Sequence, residues 1–244
     1  MKRFLPLIIF LIGLVVLMGA YLFLKKGEKE ETIGEESSLI DVPLAERPIV
    51  SLTPSPDGHS LKLGIKNIKI KASTLDYELL YLLPDGRVQG VPGTINLEGN
   101  TSFERDLLLG SESSGKFRYD EGVETGTISI RFRNDKGKLV AKFSTKFHLQ
   151  SGTKNLTLID GRFSLDLDKI PTKIFFVTMQ TFGLPSMPPI SVKSGPYGIF
   201  ASDQGPYGGK VFIDGGKVFV YQGEGWKEIY GSQASDVGIF VAGD

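Results

Sequence analysis

The chain has no cysteine, which excludes disulfides, thiolate metal sites, thiol chemistry and a lipid-modified N-terminal cysteine. It has two histidines, His59 and His148, too few for most catalytic or zinc constellations. Charge of one sign is also lacking, with 28 Lys and Arg against 28 Asp and Glu. Residues 1–47 hold six of the basic and seven of the acidic side chains, so the remainder carries one net positive charge. Such a body has no electrostatic footprint for nucleic acid, and none is expected as a partner. No Gly-x-Ser-x-Gly, no phosphate loop and no His-Glu-x-x-His occurs. The sequence therefore designates no catalytic, cofactor-binding or metal-ligating residue.

What the chain does have is one long apolar run. Phe4 to Leu24 is 21 residues without a charge. As a helix it would be about 30 Å long, matching a bilayer core. It is longer than the apolar region of a cleaved signal peptide and is followed by Tyr21-Leu22-Phe23-Leu24-Lys25-Lys26, with no small-x-small cleavage site. Pro6 falls in the first turn, where a missing N–H costs little. A transmembrane signal anchor over residues 1–24 is expected, with the lipid bilayer as partner through residues 4–24. Lys2 and Arg3 precede the span while Lys25, Lys26 and Lys29 follow it, so basic residues alone do not orient it. A short basic tail before the span favours a cytoplasmic N-terminus and a body outside the cytoplasm.

Residues 25–47 are charged, contain Ser and Gly, and are poor in aromatics, as expected of a flexible linker. From Pro48 the pattern changes to period two. Leu61, Leu63 and Ile65 alternate with Lys62, Gly64 and Lys66, and Ile68 and Ile70 with Lys69 and Lys71. Ile128, Ile130 and Phe132 alternate with Ser129, Arg131 and Arg133. After the turn residues Asn134-Asp135-Lys136-Gly137, Leu139 to Leu149 alternate again, predicting a half-buried antiparallel hairpin. Further strands are expected over 75–83, 94–97 and 103–109. These predict a mainly β fold: an antiparallel β-sandwich of the immunoglobulin or fibronectin III kind over 48–152. Its usual Cys-Trp-Cys core and tyrosine corner are absent, so the likeness is one of architecture.

A second β-rich domain is expected over 153–244. Leu156, Leu158, Phe163, Leu165 and Leu167 read as strand residues, and 174–182 as a buried strand. Gly183 to Asp244 contains 13 glycines in 62 residues, so turns are many and tight. Lys210–Ile213, Asp214-Gly215-Gly216 and Lys217–Tyr221 predict a second hairpin. Gly195-Pro196-Tyr197-Gly198 recurs as Gly205-Pro206-Tyr207-Gly208, each expected to form a turn presenting its tyrosine. Tyr197, Tyr207 and Trp226 are the expected partner-binding aromatics, suited to a protein or polysaccharide.

Three short patterns carry weaker signals. Ser113-Ser114-Gly115-Lys116 and Lys193-Ser194-Gly195 match fragments of penicillin-recognising serine enzymes, but no helix follows Ser113. Asp160, Asp166 and Asp168 are too few for a calcium site needing six to eight oxygens. His59 and His148 are expected at the surface. The expected function is a single-pass membrane-anchored protein displaying β-sandwich-like domains outside the cytoplasm for binding, adhesion or envelope assembly. The alternatives are a cell-wall hydrolase or transferase, or an accessory subunit of a membrane complex.

Overall fold

Alternating apolar and polar residues become antiparallel strands in this chain, and the computed structural model describes residues 41–223 and 225–244, with Met18 and Leu39 besides. Among these residues the fold is mainly β with antiparallel sheets. In chain order the strands are β1 (Ile49–Pro54), β2 (Ser60–Lys66), β3 (Thr74–Leu82), β4 (Val88–Asn96), β5 (Phe103–Leu108), β6 (Gly110–Ser113), β7 (Lys116–Tyr119), β8 (Thr125–Arg133) and β9 (Leu139–Ser151). They continue with β10 (Asn155–Thr157), β11 (Phe163–Leu167), β12 (Phe175–Gln180), β13 (Val192–Ala201), β14 (Gly209–Ile213), β15 (Lys217–Gln222), β16 (Gly225–Ile229), β17 (Gln233–Ala234) and β18 (Ile239–Gly243). Among the described residues no helix is long and apolar enough to cross a membrane. The expected span over 4–24 and residues 25–40 of the expected 25–47 linker lie outside the described residues, Met18 and Leu39 excepted, whereas residues 41–47 belong to the compact unit and include a 3-10 turn at Leu44–Glu46.

One nine-stranded sheet, ordered β16-β15-β18-β13-β12-β9-β8-β3-β4, carries the other elements. A three-stranded sheet, β1-β2-β5, and a four-stranded sheet, β10-β11-β14-β17, pack on it, and β6-β7 forms a separate hairpin. Residues 41–244 form one compact unit, and the large sheet runs without interruption through the expected boundary at 152/153. The cores, by contrast, divide near that point. Val50, Leu52, Leu61, Leu63 and Ile65 of the three-stranded sheet pack with Leu75, Leu79, Ile128, Ile130, Phe132 and Phe147 of the large one. Leu156, Phe163, Leu165 and Val211 of the four-stranded sheet pack with Phe176, Tyr197, Ile199, Val220 and Phe240.

The two small sheets lie on opposite faces of the large one, and β12 shows this directly. Its sequence Phe-Phe-Val-Thr-Met-Gln places Phe175, Val177 and Met179 on one face and Phe176, Thr178 and Gln180 on the other, with the four central residues buried. Val177 and Met179 belong to the first core, whereas Phe176 belongs to the second. Side chains alternate between the faces of a strand, so β12 is the strand where both cores meet. A strand buried on two faces reads as a continuous apolar run, which is why 174–182 stands out in the sequence. On its second face Thr178 is fully buried and Gln180, at the strand end, is half-buried. The Thr178 hydroxyl donates to the Thr157 carbonyl at 2.7 Å and accepts from Gln150 Nε2 at 3.2 Å. Gln150 Oε1 in turn accepts from the Thr157 amide at 3.0 Å.

The hairpin predicted over 127–149 forms as β8 and β9, with Asn134 Oδ1 accepting from the Lys136 and Lys138 amides to close its turn. Ile68 and Ile70, expected on a strand, lie outside the strands, although Ile68 is buried. The hairpin predicted over 210–221 is not formed. β14 pairs with β11 and β17, while β15 pairs with β18 and β16 in the large sheet. Asp214-Gly215-Gly216 makes the turn, but it carries the chain from one layer to the other. Val211 and Val220 face the same core from opposite sides. Strands facing each other through a core alternate just as paired strands do, so composition does not separate the two outcomes.

Candidate functional site

The densest gathering of chemically active side chains is a cleft of about 470 Å³ bounded by the β1–β2 turn, the 120–124 segment and the junction of β9 with β10. The β1–β2 turn is built by Asp57, whose Oδ1 accepts from the Ser55 hydroxyl at 2.6 Å and the His59 amide at 3.1 Å. Those two donors hold the Asp57 carboxyl below the usual carboxylate range. Gly58 follows at φ +75°, and a Cβ there would meet the Phe175 ring at 2.6 Å, so the turn needs glycine both for its backbone and for its fit. This places His59 at the cleft rim, with Nδ1 3.6 Å from Asp57 and Nε2 3.4 Å from Glu121.

The β6–β7 hairpin is fastened beside that turn. The Leu109 amide donates to the His59 carbonyl at 2.9 Å, and the Asp120 amide donates to the Leu109 carbonyl at 2.9 Å. Asp120 is also held by the Tyr81 hydroxyl at 2.8 Å. Burial, then the adjacent Asp120 carboxylate, push the Tyr81 phenol well above its usual range, so it stays a donor. Within the hairpin Phe117 and Tyr119 share one side. His59 stacks on Tyr119 at 4.2 Å between ring centroids and 8° between planes, and Tyr119 lies parallel to Phe117 at 6.1 Å and 5°. Phe117 and Tyr119 are 54% and 42% exposed, so this row of three parallel rings faces solvent rather than a core.

The remaining cleft wall is fixed by β9. The Leu149 amide donates to the Glu124 carbonyl at 2.7 Å. His148 Nδ1 lies 2.9 Å from the Thr157 carbonyl. A carbonyl only accepts, so Nδ1 carries the proton and Nε2 is the acceptor of the neutral ring. Asp57, Asp120, Glu121 and Glu124 line the cleft, together with both histidines of the chain, and among the described residues no lysine or arginine lines it. Among the described residues no group of three or more His, Asp or Glu is placed to hold a metal ion. The arrangement offers hydrogen-bond acceptors, negative charge and flat aromatic surface.

The aromatics expected to bind a partner are placed otherwise. Gly195-Pro196-Tyr197-Gly198 lies inside β13 rather than at a turn, within a stretch where its register against β18 shifts. Gly195, at φ +96°, leaves no room for a Cβ, which would meet the Phe240 carbonyl at 2.6 Å. Tyr197 points inward, 3% exposed, against Phe163 at 5.5 Å. Tyr207 is half-buried and meets Phe176 edge-on at 5.0 Å. Trp226 is half-buried on edge strand β16, where its indole N–H donates to the Ser186 carbonyl at 3.1 Å. Tyr197 and Tyr207 pack on the second core, whereas Trp226 packs on a third small cluster with Phe219 and Val241. Val220 faces the second core and its neighbour Phe219 the third, so the three aromatics do not share a face.

Ser113 and Lys116 are partners across the β6–β7 turn, whose central residues Ser114 and Gly115 have φ of 51° and 75°. That is the chemistry of a tight hairpin turn. Asp160 pairs with Arg162 at 2.6 Å, Asp166 accepts from Asn155, and Asp168 accepts from Gln233 at 3.1 Å. His59 and His148 are brought together by the fold although 89 positions apart, a proximity with no local signal. The ring row did have one: Lys116-Phe117-Arg118-Tyr119 alternates charge with aromatic, as a strand with one aromatic side would. Comparison with protein-family models, with curated proteins and with solved structures finds no match.

Proposed function

We propose that the protein is a membrane-anchored binding module. Residues 4–24 span the bilayer once, residues 25–40 tether the body, and the body lies outside the cytoplasm. In this reading the body is two sandwich-like halves, the first of the immunoglobulin or fibronectin III kind, which share the large sheet. Its task is to hold a partner in the cell envelope for adhesion or assembly, not to transform it. The observation that carries the proposal is the ring row at the rim of the polar cleft, in which Phe117 and Tyr119 are exposed and His59 is half-buried. Burying aromatic surface would favour the native state, yet here it is left in water beside a concave site. Exposed rings of this kind supply contact area at little entropic cost when a partner covers them.

The test uses residues 41–244 sedimented with isolated cell envelopes. The native body is expected to be retained, and the Phe117→Ala/Tyr119→Ala variant to be lost from the pellet at unchanged melting temperature. Equal retention of both proteins, or no retention of the native body, would overturn the proposal.

A further inference from the structure

We infer that the cleft and the adjoining aromatic side of the β6–β7 hairpin dock an extended basic peptide segment, with arginine or lysine side chains entering the cleft. This rests on the binding role proposed above and names the chemistry of the partner. Charge complementarity is the first support. Among the described residues, those lining the cleft include Asp57, Asp120, Glu121 and Glu124 and no lysine or arginine, in a chain with equal numbers of acidic and basic residues. Glu112 pairs with Phe117 across the hairpin, and so adds a fifth carboxylate on the ring side. Lys116 and Arg118 alternate onto the other side of the hairpin.

The second support is independent of charge. His59 covers one face of Tyr119, and the ring surface of Phe117 and Tyr119 left exposed is available to a guanidinium plane or an ammonium group. Carboxylates beside the rings complete the recognition of a cation, because a guanidinium can stack on a ring while donating two N–H bonds to a carboxylate. The chain's own linker is a poor occupant. Residues 28–36 carry Glu28, Glu30, Glu31, Glu35 and Glu36, which the cleft would repel.

The experiment uses the full-length protein in detergent and follows fluorescence anisotropy of labelled hexa-arginine, hexa-lysine and hexa-glutamate, with a labelled glucosamine hexamer beside them. Hexa-arginine and hexa-lysine are expected to bind, hexa-glutamate not. Tyr119→Ala and Glu121→Gln each weaken the basic peptides about two- to fivefold, and the two together about tenfold, the scale of an exposed ring–cation contact and a rim charge. Asp135→Asn, an acid removed from the turn at the far end of the β8–β9 hairpin, leaves binding unchanged. Basic-peptide binding indifferent to Tyr119→Ala and Glu121→Gln overturns the inference, since attraction is then general. So does a glucosamine hexamer that outcompetes hexa-arginine in the native protein and loses affinity in those variants. In that case the binding role stands and its partner is a saccharide. If Tyr119→Ala abolishes envelope retention but leaves hexa-arginine affinity intact, the peptide inference alone fails.

Discussion

Thr178 is where an isosteric change should reveal how the four-stranded sheet is held to the large one. Thr178→Val keeps the shape and adds no cavity, while removing one hydroxyl at a fully buried position. The Thr157 carbonyl keeps donors in His148 Nδ1 at 2.9 Å and Gln150 Nε2 at 3.3 Å, so it remains satisfied. Gln150 Nε2 keeps that carbonyl for one N–H, but the hydroxyl that accepted its other N–H at 3.2 Å is gone. Leaving a buried donor without an acceptor costs about 1–3 kcal/mol, and the extra methyl returns part of this. We therefore expect a net loss of about 1–2 kcal/mol, or a fall in Tm of about 2–8 °C for a unit of this size. Urea unfolding of residues 41–244 should show the loss in midpoint at constant slope. Gln150→Leu should also destabilise, because it strips the Thr157 amide of its acceptor. The two changes touch one network, so the double variant should depart from additivity by about 0.5–3 kcal/mol. A Thr178→Val protein as stable as the native one, or strict additivity with Gln150→Leu, would refute this account of the clamp.

Four further outcomes follow from the same structure. Tyr197→Ala should cost about 3–5 kcal/mol in chemical denaturation, as a buried ring, and leave envelope retention of the folded fraction unchanged; loss of retention at native stability would return Tyr197 to the binding surface. The Tyr81 phenol is raised in the folded state above its unfolded value of about 10, so its contribution is present below that pH and lost as pH rises beyond it. An alkaline titration of stability should therefore slope downward above about pH 10 in the native protein and less in Tyr81→Phe. Gly209→Ala should destabilise by about 1–3 kcal/mol or more, because the added Cβ would press on the Asp166 and Leu167 backbone, and a native-like melting curve would contradict that packing. The full-length chain should stay with membranes after carbonate washing, whereas a mature N-terminus mapped between residues 20 and 35 would remove the proposed anchor.

Local pattern revealed a good deal of this fold, and its failures have a common cause. β8 and β9 were legible because one face is buried and the other wet, so the alternation is clean and the turn residues unambiguous. β14 and β15 were misjoined because a turn between facing sheets and a turn between paired strands need the same residues. Tyr197 was misplaced because glycine and proline read as a turn, whereas here they shape an irregular stretch within a strand. The cleft is illegible for a different reason: Asp57 and Glu121 come from two separate connections and His148 from strand β9, and their meeting depends on long-range pairing alone.

The two-sided burial of β12 also bears on how the chain chooses its pairing. A strand with one wet face is locked in register, since a slip by one residue would expose its apolar side chains. β12 lacks that safeguard. Exchanging Phe176 with Val177 would keep oily groups in both cores. The faces are told apart by the polar residues of one parity, half-buried Gln180 and above all buried Thr178, whose hydroxyl finds its partners on the side of Gln150 and Thr157. Slipped by one, that hydroxyl would enter the first core beside apolar side chains and Gln150 would meet a side chain that cannot answer it. The cost of keeping a polar group in the middle of the molecule is thus a form of proofreading. It gives an ambiguous apolar segment a single address, much as one buried polar side chain fixes the alignment of an otherwise uniform coiled coil.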